Sequence, residues 1–329
     1  MRSLFFDATL YACLAASLAY LLSAVRNWSA GWARAGFWAL TAAALSGIGF
    51  VAQEWKDLDR PPFATTFEVL TLLSVALMFV YLAFERWFKS AHAGPFVSFL
   101  ALLDLAYATL FRGSAQPLMP ALRNNFWLTV HVVLCFVGYA GFFLSFVAGI
   151  LHLARRGGMN RAAVVLVLAI TFGFLLFVGG AQFAVKRRIL DSTGGIGVFV
   201  LGGALVSVAL LAPIRALLPE ATGEGPDLDR LDALVYRSIS FGFPLLGLGI
   251  ITGAVWANEA WGRYWGWDPK EAWSLATWLL YFVYLHLRFV RGWKGGQSSW
   301  FAVGGFYAVV FTFFGVNYLL PGLHGYLGR

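Results

Sequence analysis

The chain has 329 residues, 60% of them hydrophobic and 12% charged, with a formal net charge of +8 and a mean hydropathy of +0.73. Repeated apolar runs, each long enough to cross about 30 Å of hydrocarbon, exclude a soluble globular protein and mark a polytopic membrane protein. In that setting the basic surplus reads as loop arginines that orient the chain and touch anionic lipid, and nucleic acid is not an expected partner.

The runs lack the alternation of a barrel, so each crossing has to be a helix that satisfies its own backbone. The expected fold is therefore all-α, a polytopic integral membrane helical bundle of about ten transmembrane helices. The first helix is expected at 4–25. Arg2, Ser3 and Asp7 lie at its start and no small-residue cleavage site follows, so it is expected to serve as its own insertion signal. Helices at 35–53, 66–88 and 95–111 come next, the last weakened by Asp104; then 126–154, 161–183 and 195–217. An acidic stretch rich in Gly and Pro, PEATGEGPDLDRLD at 219–232, reads as a soluble connection. Helices at 234–258, 271–290 and 298–320 complete the chain. Three regions follow: 1–155, a middle hairpin with the acidic loop at 156–232, and a C-terminal unit at 233–329. Loop charges favour a cytoplasmic face for the loop after the first helix, with both termini outward. Lys186, Arg187 and Arg188 run against that rule. Cys13 and Cys135 lie in separate apolar runs without CxxC spacing, as buried membrane thiols do.

The most telling stretch is 256–278, WANEAWGRYWGWDPKEAWSLATW, which holds six of the fourteen tryptophans. A membrane–water aromatic belt needs only one or two per helix end, so six mark a surface built to meet a flat apolar object outside the bilayer core. Asp268, Pro269 and Glu271 form a helix start, with Asp at the N-cap, Pro at N1 and Glu at N3. Asp268 is thus expected to fix helix entry and hold Trp256, Trp261, Trp265 and Trp267 at the right height. Arg263 and Lys270 either pair with carboxylates of a bound ligand or face lipid headgroups; the sequence leaves both open. Packing or belt roles suit Trp273 and Trp278.

The chain has five histidines. His131 lies near the outer end of its helix, and His324 follows Pro321 just beyond the last one. Two imidazoles flanking an aromatic platform on one membrane face are able to ligate a metalloporphyrin iron from both sides. His286 lies fifteen residues after Glu271, roughly 22 Å down its helix, and ionisable groups at such depth tend to be functional. Arg288, two residues on, is expected to point away and snorkel. His92 and His152 read as hydrogen-bonded residues near helix ends.

At these residues the chain resembles the tryptophan-rich haem-handling membrane proteins, and within them the CcsA (ResC) component of the System II cytochrome c synthase. WGRYWGWDPKE carries the signature, GIITGAV at 249–255 and Trp256 precede it, and YLHLR at 284–288 and VNYLLPGLHGY at 316–326 follow. WLTVHVVLCFVGYAGF at 127–142 also matches, and PPFATTFEVL at 61–70 more weakly. The resemblance implies haem b as non-covalent cargo, ligated outside by His131 and His324 over Trp256, Trp261, Trp265, Trp267 and Asp268. It implies an inner haem ligand at His286, completed by a histidine of a CcsB (ResB) membrane partner. The activity implied is transfer of haem to the outer face of the cell's inner membrane, or of a thylakoid-type membrane, and its attachment to the CxxCH segment of apocytochrome c. The rival reading is a haem exporter or delivery protein of the CcmC or CcmF kind; a membrane b-type cytochrome is disfavoured because its paired histidines face each other at matched depth. One departure stands out. About seventy-five residues separate the His131 helix from the segment at 230–255, which reads as an added hairpin of two helices beside eight family-like ones.

Overall fold

The structure is a computed structural model. It describes residues 4–111, 126–171 and 226–322, apart from positions 27, 90, 161, 165, 169, 170, 317–319 and 321. Most of the expected hairpin, the Lys186–Arg188 cluster and His324 lie outside the described residues.

All the regular structure described is helical. Eight α-helices run in order: α1 (Leu4–Val25), α2 (Ala30–Leu58), α3 (Thr66–Phe88), α4 (Gly94–Ala108), α5 (Phe126–Arg156), α6 (Pro226–Trp261), α7 (Pro269–Val290) and α8 (Gly296–Val310), the last continuing into a π-turn at Phe311–Gly315. Six of them, α1, α2, α3, α5, α6 and α8 with its π-turn, are long and apolar enough to cross a membrane. The chain is thus a polytopic helical membrane bundle. At 15 residues α4 reaches only about 22 Å. The 22 residues of α7 are long enough, but their Trp, Tyr and charged residues lower the hydropathy.

Two boundaries differ from the sequence expectation. The α6 helix begins at Pro226, inside the stretch that reads as a linker, with Asp227 and Asp229 in its first turn. A leading proline and early carboxylates suit a helix N-terminus, where the backbone N–H groups need no intrahelical acceptor and the dipole favours negative charge. At the other end of the chain the α-helix stops at Val310, where the wider π-turn begins.

The broadest helix–helix contact joins α5 to α6. Its seam is built of small residues: a Cβ at Gly242 would lie 2.7 Å from the Gly138 carbonyl oxygen, and one at Gly141 would lie 3.0 Å from that of Ser238. Helices pack this closely in lipid only where small side chains let the backbones approach. On another face of α5, Phe142 stacks on Tyr281 of α7 with ring centres 3.7 Å apart. Trp278 stacks on Phe243, and its indole N–H donates to the Phe243 carbonyl at 3.2 Å, so it packs rather than anchors.

The end of the bundle remote from the tryptophan loop carries a polar cluster. Arg288 donates to both carboxylate oxygens of Asp232, at 2.9 and 2.7 Å, and the two side chains are only 11% and 12% exposed. The expected snorkelling role for Arg288 is therefore wrong: it turns inward to a carboxylate 56 positions earlier in the chain. Asp232 also accepts the Gly295 N–H at 2.7 Å. Beside it, His152 is buried and within 2.9 Å of the Ser299 hydroxyl. This cluster ties α6, α7 and the start of α8 together, with α5 alongside.

Candidate functional site

A cavity of about 170 Å³ lies between α5, α6, the tryptophan loop and the start of α7. From α5 it takes His131, with Cys135 and Tyr139 one and two turns deeper; from α6 it takes Gly253 and Trp256. Tyr264 and Trp265 come from the loop, Lys270 and Glu271 from α7, and Phe313 from the π-turn. Phe63 and Ala64, just ahead of α3, close one wall.

His131 is held by its backbone surroundings. Its Nδ1 lies 2.6 Å from the Gly249 carbonyl oxygen. A carbonyl only accepts, so Nδ1 carries the proton and the ring lone pair sits on Nε2, the tautomer in which an imidazole binds a metal while a second partner fixes its orientation. Gly253 makes room for the ring, because a Cβ there would lie 2.6 Å from Nδ1. The GIITGA segment at 249–254 thus supplies both the acceptor and the space.

The four singled-out loop tryptophans divide in two. Trp256 is 2% exposed and lines the cavity, with Trp261 packed edge-on against it at 4.8 Å. Trp265 lines the cavity with Trp267 perpendicular to it at 5.7 Å, and Trp267 itself is 72% exposed. Only Trp256 and Trp265 form cavity wall; Trp261 and Trp267 support them from behind and outside.

Asp268 caps α7 as the sequence predicts. Its carboxylate accepts the Lys270 N–H at 3.2 Å, and Glu271 accepts the N–H groups of Asp268 and Gly266 at 3.1 and 2.8 Å. These bonds hold a loop in which Trp267 takes a left-handed φ of 55°, a strained conformation for a bulky residue that persists only when its surroundings enforce it. Gly322 lies against this cap, since a Cβ there would be 2.7 Å from Asp268 Oδ1.

A second capping box starts α3, where Thr65 and Glu68 exchange side chain-to-backbone bonds. Arg60 donates to both Glu68 oxygens at 2.9 and 2.8 Å. The pair fixes Phe63 and Ala64 as cavity wall. In the sequence PPFATTFEVL shows only a weak resemblance and not this wall role, although Thr-x-x-Glu is itself a helix-start signal. Cys135, Tyr139 and Tyr264 also line the wall, and no local pattern in the sequence marks them.

The structure does not bring His286 to this cavity. It is exposed on α7 and stacks on Phe282 with ring centres 6.4 Å apart. His92, in the connection before α4, packs against Trp28 at 4.3 Å. Burial pushes its imidazole down to about 4, helped by the nearby Arg155 charge.

A histidine oriented by a backbone carbonyl and flat aromatic walls in one cavity suit a planar, largely apolar ligand. The comparison with known proteins bears on the same residues. Residues 63–324 match the family described as cytochrome c assembly protein, a span that opens at the cavity wall and takes in every cavity residue. The chain belongs to the cytochrome c assembly family. Among similar members, the cytochrome c biogenesis protein CcsA of Gloeobacter violaceus is 35% identical over 292 residues, covering 86% of this chain and 83% of its own. CcsA of Synechococcus elongatus is 36% identical over 288 residues, covering 86% and 84%. CcsA of Synechocystis sp. is 36% identical over 300 residues, covering 88% and 86%. The chain is thus a CcsA-type member of the assembly family, and a multi-pass membrane protein acting in cytochrome c biogenesis.

Proposed function

We propose that the chain carries haem b to the outer membrane face and presents it for covalent attachment to apocytochrome c, as one subunit of a System II holocytochrome c synthase. The observation that carries this reading is His131, whose Nδ1–H is committed to Gly249 inside a cavity walled by Trp256 and Trp265. His324 is the proposed second iron ligand. Gly322, two residues before it, lies against the Asp268 cap, and this proximity supports the assignment. The tryptophan loop and both termini face outward, in a cell inner membrane or a thylakoid-type membrane, within a bundle of about ten spanning helices.

Ligation from both sides keeps the iron low-spin and limits its reaction with oxygen. At the mouth, each apocytochrome thiol adds across one haem vinyl group: sulfur bonds to the inner vinyl carbon and the hydrogen passes to the outer one. No oxidant is consumed. The cytochrome's own histidine then displaces a protein ligand and the product leaves. No acid or base of the loop has to act, so the catalytic contribution is mostly positional, an effect worth several kcal/mol for a well-aligned pair (up to roughly 10). His286, on the exposed face of α7, is the proposed inner haem ligand, with the second ligand supplied by a CcsB-type partner.

The test is an absorption spectrum of the detergent-purified, dithionite-reduced protein co-expressed with a CcsB-type partner and an apocytochrome. Sharp low-spin bands are expected in the wild type, lost or broadened in both His131→Ala and His324→Ala, with holocytochrome yield falling alongside. Spectra and yields indifferent to both substitutions would reject the ligand assignment. Bound haem without any covalent cytochrome would favour an exporter or delivery protein of the CcmC or CcmF kind.

A further inference from the structure

We propose that Asp104 and Tyr139 form a water-binding proton site inside the bundle, and that Asp104 takes up a proton when the iron of the bound cargo gains an electron. The site is separate from the cavity described above; its coupling to iron rests on the haem reading.

A second cavity, of about 50 Å³, lies between α3, α4, α5 and the end of α8. Among the described residues its lining is apolar except for two groups, the Asp104 carboxyl of α4 and the Tyr139 hydroxyl of α5. The two residues are only 7% and 8% exposed, and neither side chain hydrogen-bonds to another described residue. A buried carboxyl or hydroxyl left without a partner is costly. A water needs roughly 10–15 Å³ and two to four polar partners, so this cavity has room for water shared between the two groups.

Tyr139 also links the site to the haem cavity. Together with Phe313 it lines both spaces, the two ring centres standing 6.1 Å apart. Phe313 belongs to the π-turn that ends α8, a helix irregularity that recurs at functional sites. Tyr139 follows His131 by eight positions, about 12 Å along α5. At that range, with an effective dielectric of about 20, one unit of charge changes a proton affinity about tenfold.

Few other groups compete for that role. Cys13 of α1 is close enough for its thiol to sense the Asp104 charge. The buried residues of α2 are apolar, and α3 and α8 present only apolar side chains to the cavity. Across the wall made by Tyr139 and Phe313, the titratable groups are His131, Cys135, Tyr264, Lys270 and Glu271. When a one-electron donor turns ferric iron ferrous, one positive charge disappears. The Asp104 carboxylate then takes one proton from the water phase and becomes the neutral acid. Rising pH opposes that uptake and lowers the potential of the bound iron.

The test is a redox titration, at a series of pH values, of haem bound to the purified protein with its CcsB-type partner. Between about pH 6 and pH 10 the wild-type potential is expected to fall by about 59 mV more than that of Asp104→Asn, the one-electron equivalent of a tenfold change. Infrared difference spectra should show a carboxylic-acid C=O band appearing on reduction. That band should be absent from Asp104→Asn and shifted in Tyr139→Phe, where the shared water loses a partner. Should Asp104→Asn fail to fold, the Tyr139→Phe spectrum decides alone. Equal pH dependence in wild type and Asp104→Asn, or a carboxyl band indifferent to Tyr139→Phe, overturns the inference while the haem reading stands. A wild type that binds no haem overturns the haem reading itself.

Discussion

Gly253 is defined by the side chain it lacks. A Cβ there would lie 2.6 Å from His131 Nδ1 and 2.7 Å from Cε1, and the ring has little freedom to yield, because its Nδ1–H is already spent on Gly249. Gly253→Ala is expected to turn the imidazole, lowering haem content and broadening the low-spin bands, with a stability loss of about 1–3 kcal/mol typical of overpacking. Haem quantitation beside thermal unfolding in detergent measures both. Some residue-scale features were legible beforehand. The start of α7 follows local rules, so Asp268 and Glu271 could be assigned from four consecutive residues. The inward turn of Lys270, the outward turn of Trp267 and the pairing of Arg288 were not legible. Each depends on chain that is distant in sequence or on the path of a loop, and Arg288 finds its carboxylate 56 positions away.

At the scale of elements, apolar length was enough to locate most helices, since lipid leaves a spanning segment no other way to satisfy its backbone. It did not reveal which helices pack together. The α5–α6 seam depends on Gly138, Gly141 and Gly242 meeting backbone to backbone, and nothing in either run alone names its partner. The polar cluster at the far end works the same way. Asp232 on α6 and Arg288 on α7 are both nearly buried, so removing one leaves the other charge without its main partner. Arg288→Met is expected to cost about 3–5 kcal/mol. Adding Asp232→Asn should recover part of that loss, because the stranded charge is then gone. Denaturation of the two variants in detergent is the check. Recovery in the double variant separates a charge effect from lost packing.

For the molecule as a whole, the helices set a distance. His131 and His152 lie on one helix, 21 positions apart, or about 30 Å. The cavity and the polar cluster therefore occupy opposite ends of the bundle. Both are bounded by α5 and α6, so the helix pair with the broadest contact also frames the candidate site. That pair has a further consequence for the polypeptide between its two members. Arg155, at the end of α5, is 3.2 Å from Asp227, at the start of α6, so the chain leaves and re-enters the pair at the same end. The seam of Gly138, Gly141 and Gly242 is expected to keep α5 beside α6 even where the peptide chain of this detour is cut. A chain divided between 180 and 220 and expressed as two separate pieces is expected to reassemble around the same cavity. Co-purification of the pieces with the low-spin bands of the intact protein would show that this molecule works as a noncovalent pair of fragments. Failure of the pieces to associate would show that the detour itself holds them together.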